Sequence, residues 1–307
     1  MQVEWQSILV RLLLYLDLML VFGLPLFAGY SLRRNELRSE VACRYIRWSV
    51  VACVAGICLS LVGMAVMAKS MTGATAYSEL SAHVFEMMIA GTDFGIAWVA
   101  RLVALSLYIA GAIALRRWPV MQVSALALTG AVALSTLAWA GHGAMDDGNL
   151  RVIHLLVDVA HLLAAGGWVG ALVAFVMLAR SARAGTVPLR LLARTGNDFA
   201  KLGSIIVVTL VVTGVANYWL IAGVPSMAVA VTPYGIFLST KLAFFVVMVG
   251  MATMNRYRLV PRLAAEVDSP TASVAADALR RSLLAELAIG LLVVTVVAFL
   301  GVLSPEG

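Results

Sequence analysis

RVIHLLVDVAHLLAAGGWVG, residues 151–170, is an oily helical run with three ionisable residues inside it, His154, Asp158 and His161. An ionisable side chain near the centre of a spanning helix costs roughly 2.5 kcal/mol or more on insertion scales. Three in one run therefore line a polar path or tie neighbouring helices together through hydrogen bonds. Their i, i+4, i+7 spacing puts all three on one helical face. With a rise of about 1.5 Å per residue, the two histidines stand about 10 Å apart along the axis, too far to share one ion easily. Asp158 lies within a turn of both and can ligate with either or orient an imidazole ring. Gly166, Gly167 and Gly170, further along the same run, predict a neighbouring helix packed close behind it.

The rest of the chain has the same solvent preference. Of its 307 residues, 62% are hydrophobic and 12% charged, which excludes an ordinary soluble domain. A window of about 20 residues, the length that crosses the hydrocarbon, gives eight runs: 8–30, 46–68, 94–115, 121–142, 152–179, 200–222, 235–257 and 281–303. The fold expected is an all-α membrane protein, a bundle of eight transmembrane helices forming one polytopic domain over 1–307. Every Lys and Arg except Arg11, Lys69, Arg101, Arg151 and Lys241 falls after span one, three, five or seven. The positive-inside rule then puts both termini on the outer, periplasmic side. A signal peptide is not expected, because Glu4 precedes the first run where a basic region would stand. The basic loops are short and carry no interleaved aromatics, so nucleic acid is set aside as a partner. Cys43, Cys53 and Cys58 make no C-x-x-C pair and read as helix-contact residues.

More candidate ligands gather at the outer side. His142 closes span four in WAGHG, residues 139–143, one short loop before His154. The segment ELSAHVFEMMIA, 79–90, predicts a short surface helix with Glu79, His83 and Glu86 at i, i+4, i+7. Met64, Met67 and Met71 form a stripe at the outer end of span two, and Met248, Met251 and Met254 another in span seven. Methionine commonly fills apolar gaps. Thioether sulfur also prefers Cu(I), and imidazole serves copper or zinc, so sulfur and imidazole together point to copper. Asp17, Arg101, Lys241 and Glu286 are further buried charges that need partners or a wet cavity. Arg11 is near enough to the surface to snorkel.

Several stretches resemble the copper resistance protein D (CopD) family of bacterial inner-membrane proteins. They are GHG at 141–143, H-x3-D-x2-H at 154–161, GGWVG at 166–170, TGVANYW at 213–219 and PYGIFLSTKLAFF at 233–245. NRYRLVP at 255–261, LLAELAIG at 283–290 and GVLSP at 301–305 complete the likeness, which spans about 139–305. The first four spans match that family in helix count and orientation rather than by motif. The resemblance implies a part in copper uptake or homeostasis, beside a small periplasmic copper-binding protein of the CopC type. It also implies that His142, His154, Asp158 and His161 form the family's polar motif.

Copper import from periplasm to cytoplasm is the reading favoured, with Cu(I) or Cu(II) as the ion and the lipid bilayer as surroundings. His83, Glu86, His142, Met64, Met67 and Met71 would collect the ion, and His154, Asp158 and His161 would relay it. Conduction requires sites weak enough to release what they bind. A b-type haem electron carrier is the alternative, since histidines in a bundle also hold haem. A copper sensor or assembly partner that binds without transport is a third. Neither a G-x-S-x-G elbow nor an H-E-x-x-H helix is present, so an enzyme is not expected.

Overall fold

The computed structural model describes residues 5–141, 148–181, 186–222, 232–301 and 303, and every regular element among them is helical. Helix α1 is Trp5–Ser31, α2 Glu40–Thr72, α3 Ala82–Gly91, α4 Asp93–Ala114, and α5 Pro119–Ser135 with a tighter turn continuing to Ala140. Then follow α6 Gly148–Ser181, α7 Thr186–Ala222, α8 Pro233–Met254, a π-helical turn Asn255–Leu259, α9 Val260–Glu266 and α10 Ala272–Leu300. Eight segments are long and apolar enough to cross a bilayer, and they coincide with the eight runs expected. The largest departures are at two starts and one end, span seven running on to Glu266. Spans six and eight begin at Pro188 and Ala272, because the arginine-bearing turns before them stay helical.

Local chemistry sets the boundaries. Ser39 caps α2 by accepting from the Ala42 N–H at 3.3 Å, and the helix ends at Gly73, whose φ of 68° is left-handed. Thr92 and Thr232 cap α4 and α8, accepting from Gly95 and Gly235 at 3.0 and 3.1 Å. Pro119 and Pro233 occupy first-turn positions, where a missing N–H is harmless.

Contacts at the two ends fix the up-and-down order. At one end, Arg11 of α1 donates to the Gly301 carbonyl after α10 at 2.7 Å, and Tyr77 donates to Gln6 at 2.7 Å. Arg151 pairs with Asp93 at this same end. At the other, Arg194 of α7 meets Glu36 at 2.5 Å, Arg44 donates to Ser181 at 2.8 Å, and Arg190 meets Asp268 at 2.6 Å. The first is called the histidine end below and the second the arginine end. Arg11 thus ties the start of α1 to the end of α10.

Helix α1 is central, packed on α2, α5, α6 and α10. It meets α6 where Gly23 faces Gly166 and Gly170. A Cβ at Gly23 would stand 2.6 Å from the Gly170 Cα, so only hydrogen fits between the two backbones. The close approach expected of the 166–170 glycines is therefore made by α1. Phe27, Phe175 and Phe199 interlock edge to face towards the arginine end, with ring centres 4.8 and 5.4 Å apart. Outward-facing apolar side chains such as Leu128 and Val246 are about two-thirds exposed, as lipid-facing residues are.

Candidate functional site

Helix α6 carries the polar column. His154 is 1% exposed, and its Nε2 lies 4.0 Å from Asp158 Oδ2 one turn on. Asp158 Oδ1 accepts from Asn217 Nδ2 of α7 at 2.7 Å. His161 Nδ1 is 2.8 Å from the Thr213 hydroxyl, also on α7. Thr213 has one hydroxyl proton and lies 2.5 Å from the Thr209 carbonyl, to which it donates. Its oxygen therefore accepts from His161 Nδ1–H, which leaves the lone pair of Nε2 as the ligand-competent nitrogen. Two α7 residues at i and i+4, Thr213 and Asn217, thus orient the deeper two members of the column.

Charged groups from other helices surround it. Lys241 of α8 is near enough to Asp158 and His161 for its charge to be felt at both. Tyr15 of α1 is in the field of Asp158, Arg11 and Arg101. Gly141 sits over the column: a Cβ there would be 3.7 Å from Asp158 Oδ2. The next residue, His142, lies outside the described residues. Among those described, no three His, Cys, Asp or Glu side chains converge on one point, so the column is a row of separate groups.

The methionines divide. Met64 is buried against Ala68 and Met88, and Met67 packs on the same cluster. Both line a cavity of about 90 Å³ with Arg11, Tyr15, Trp98 and Arg101. Met71 is 61% exposed and does not join them. In the second stripe, Met248 is buried, its Cε 3.4 Å from where a Gly290 Cβ would be, whereas Met254 faces outward.

The surface segment is helical as expected, but it begins at Ala82 after an extended Ser81. Glu79 belongs to a separate turn, Tyr77–Glu79, so it does not continue the face of His83 and Glu86. The Thr75 hydroxyl and N–H donate to Glu79 at 2.7 and 3.0 Å and hold its carboxyl below the usual carboxylate range. His83 and Glu86 are exposed on α3, at the histidine end. An exposed His83 is not placed to ligate a haem inside the bundle.

Of the four remaining intramembrane charges, Arg101 and Glu286 have neutral hydrogen-bond partners, while Asp17 Oδ2 is buried without one. Arg101, 3% exposed, donates from Nε to the Thr136 hydroxyl at 2.8 Å and faces the small cavity. Asp17 lies beside Gly56, where a Cβ would meet its carboxylate. Glu286 accepts from Trp168 and Asn255 at 2.9 and 2.8 Å, while Lys241 belongs to the column. Cys53 is buried and donates to the Leu105 carbonyl at 3.3 Å; Cys43 and Cys58 are exposed, and all three are free.

Comparison with known proteins matches both halves of the chain. Residues 1–152 match the family described as "Copper resistance protein D-like, N-terminal domain", and residues 193–300 match "Copper resistance protein D". The N-terminal half, for which no motif is quotable, is thus matched in its own right. Over 304 residues the chain is 41% identical to Copper resistance protein D of Pseudomonas syringae pv. tomato, covering 98% of this chain and 97% of that protein. Over 301 residues it is 28% identical to Inner membrane protein YebZ of Escherichia coli (strain K12), covering 97% and 98%. No solved structure matches. His154, Asp158 and His161 fall between the two family matches and within the span of both full-length relatives.

Proposed function

We propose that this chain, which belongs to the copper resistance protein D family, moves copper across the bacterial inner membrane from periplasm to cytoplasm. The observation that carries the reading is the column on α6: His154, Asp158 and His161 in a row, with Asn217 and Thr213 of α7 fixing the orientation of the deeper two. A ring nitrogen with a free lone pair and a carboxylate one turn away are copper ligands in type. Their separation along the helix makes several weak stations rather than one tight site, which suits passage over storage.

The histidine end is the periplasmic end in this reading, with both termini there, since the basic loops gather at the other. His83, Glu86 and His142 with Met64, Met67 and Met71 would make the collecting mouth. A soluble periplasmic copper-binding protein of the CopC type would be the donor. The membrane potential supplies about 2.3 kcal/mol per charge per 100 mV for inward movement of a cation.

The test is uptake into proteoliposomes loaded with a copper-sensitive dye, with wild type compared against Asp158→Asn and the double variant His154→Ala/His161→Ala. Uptake in the wild type that falls at least tenfold in both variants supports the relay. Equal uptake in all three removes it. Copper bound without uptake favours the sensor, and a Soret band in the purified protein favours the haem carrier.

A further inference from the structure

Another cavity, about 360 Å³, lies towards the arginine end between α6, α7, α10 and the π-helical turn. Glu286 of α10, 2% exposed, is on its wall. Its Oε1 accepts from Trp168 Nε1 at 2.9 Å and its Oε2 from Asn255 Nδ2 at 2.8 Å. Neither partner is charged, and Glu286 makes no ion pair among the described residues. The other ionisable side chains lining the cavity are Arg256 and Tyr257, both exposed; the Arg256 guanidinium donates to Ser204 at 2.5 Å. The wall contributed by α6 and α7 carries no ionisable side chain.

The partner that decides the chemistry is Asn255. It is 7% exposed, lines the same cavity, and its Oδ1 is buried with no hydrogen-bond partner. It opens the π-helical turn, in which the Val260 N–H reaches back to the Asn255 carbonyl just before Pro261. Proline lacks the N–H that would continue an α-helical ladder, and π turns of this kind recur at functional sites. A half-rotation of the Asn255 amide exchanges donor for acceptor. In one position Nδ2 donates to a carboxylate; in the other Oδ1 accepts from a carboxylic acid. Glu286 thus has a partner ready for either protonation state, and no fixed cation that would oppose taking a proton. Hard carboxylate and amide oxygens are poor ligands for Cu(I), which argues against a metal station here.

We infer that Glu286 is a proton-exchange site, opening through this cavity towards the arginine end, with Asn255 as the residue that positions it. On release, the Oε2–H bond breaks and the proton passes to water entering the cavity, leaving the carboxylate held by Trp168 and Asn255; on uptake the same proton returns. Trp168 is seven residues beyond His161 on α6, about 10 Å along the axis, so the site continues the column's face. The inference stands without copper and is tested without it.

The experiment is infrared difference spectroscopy of the full-length protein in lipid, in H2O and D2O, over the pH range in which it stays folded. The expected result is a protonated-carboxyl stretch that loses intensity as pH rises, shifts in D2O, and is missing from Glu286→Gln. In Asn255→Leu the same band should persist at a shifted frequency and titrate at a different pH, which a merely structural contact would not produce. Should Glu286→Gln fail to fold, Glu286→Asp serves instead, displacing the band rather than removing it. A spectrum with no pH-dependent band assignable to Glu286 overturns the inference. So does a band that changes on adding Cu(I) at fixed pH but not with pH.

Discussion

Adding one methyl group at Gly170 should damage this protein far more than adding one at Gly167, three residues earlier on the same helix. A Cβ at Gly170 would lie 2.5 Å from the Gly23 carbonyl carbon and 3.0 Å from its oxygen, all backbone of α1. Ordinary carbon contacts are about 3.5–4.0 Å, so α1 and α6 must separate by about 1 Å, because backbone cannot rotate aside. Overpacking typically costs about 1–3 kcal/mol, and this case belongs at or above the top of that range. At Gly167 the nearest atom is the Ile206 Cδ1 tip at 3.4 Å, which is ordinary contact with a flexible end. There the gain in helix propensity, up to about 1 kcal/mol, offsets the crowding. Thermal unfolding in detergent, followed by size-exclusion of the heated protein, measures both variants against wild type. Gly170→Ala should unfold several degrees lower and Gly167→Ala within a degree or two of wild type. If Gly170→Ala is as stable as wild type, or Gly167→Ala is the worse of the two, the crossing described for α1 and α6 is wrong.

Other outcomes follow from the site. Thr213→Val removes the acceptor that fixes His161 and should weaken copper binding by about 10- to 100-fold, with Thr213→Ser restoring it; a Cu(I) competition titration reads both. Asn217→Leu leaves Asp158 without its amide donor, so binding should weaken while Asn217→Gln recovers part of it, in the same titration. Arg11→Leu takes a charged donor from the Gly301 carbonyl and should cost about 1.5–3 kcal/mol, seen as a lower unfolding midpoint. His83→Ala/Glu86→Ala alters exposed positions and should change stability by less than about 0.5 kcal/mol. That double variant should slow uptake only at low external copper, as the loss of a collecting surface does.

The eight spans were legible because each is a long apolar run, and lipid leaves helix as the one way to satisfy its backbone. The span-five glycines were legible too, since small residues in a membrane helix announce a close neighbour, but Gly23 as the other half was not. It is one of two glycines in the first apolar run, and nothing in the run marks it out from Gly29. The i, i+4, i+7 column was readable from α6 alone, whereas its supports on α7 were not assigned. The signal existed in TGVANYW, where Thr213 and Asn217 are polar residues one turn apart on an apolar helix. Asp17, Arg101, Lys241 and Glu286 were expected to pair with one another or to face a cavity, and Arg101 and Glu286 each line one. The hydroxyl, indole and amide that hold them come from other helices or from the π-helical turn, which periodicity along one helix does not reveal. Glu79 left its predicted face because Ser81, in extended backbone, restarts the helix after it. Helix periodicity counts through such a break without registering it.

The most direct measurement is the number of Cu(I) ions bound by the purified, haem-free chain, titrated against a competing chelator of known affinity, for wild type and His154→Ala/His161→Ala. The α6 column predicts at least one ion per wild-type chain and the loss of that ion in a variant that remains folded. Identical stoichiometry and affinity in the two proteins would contradict it.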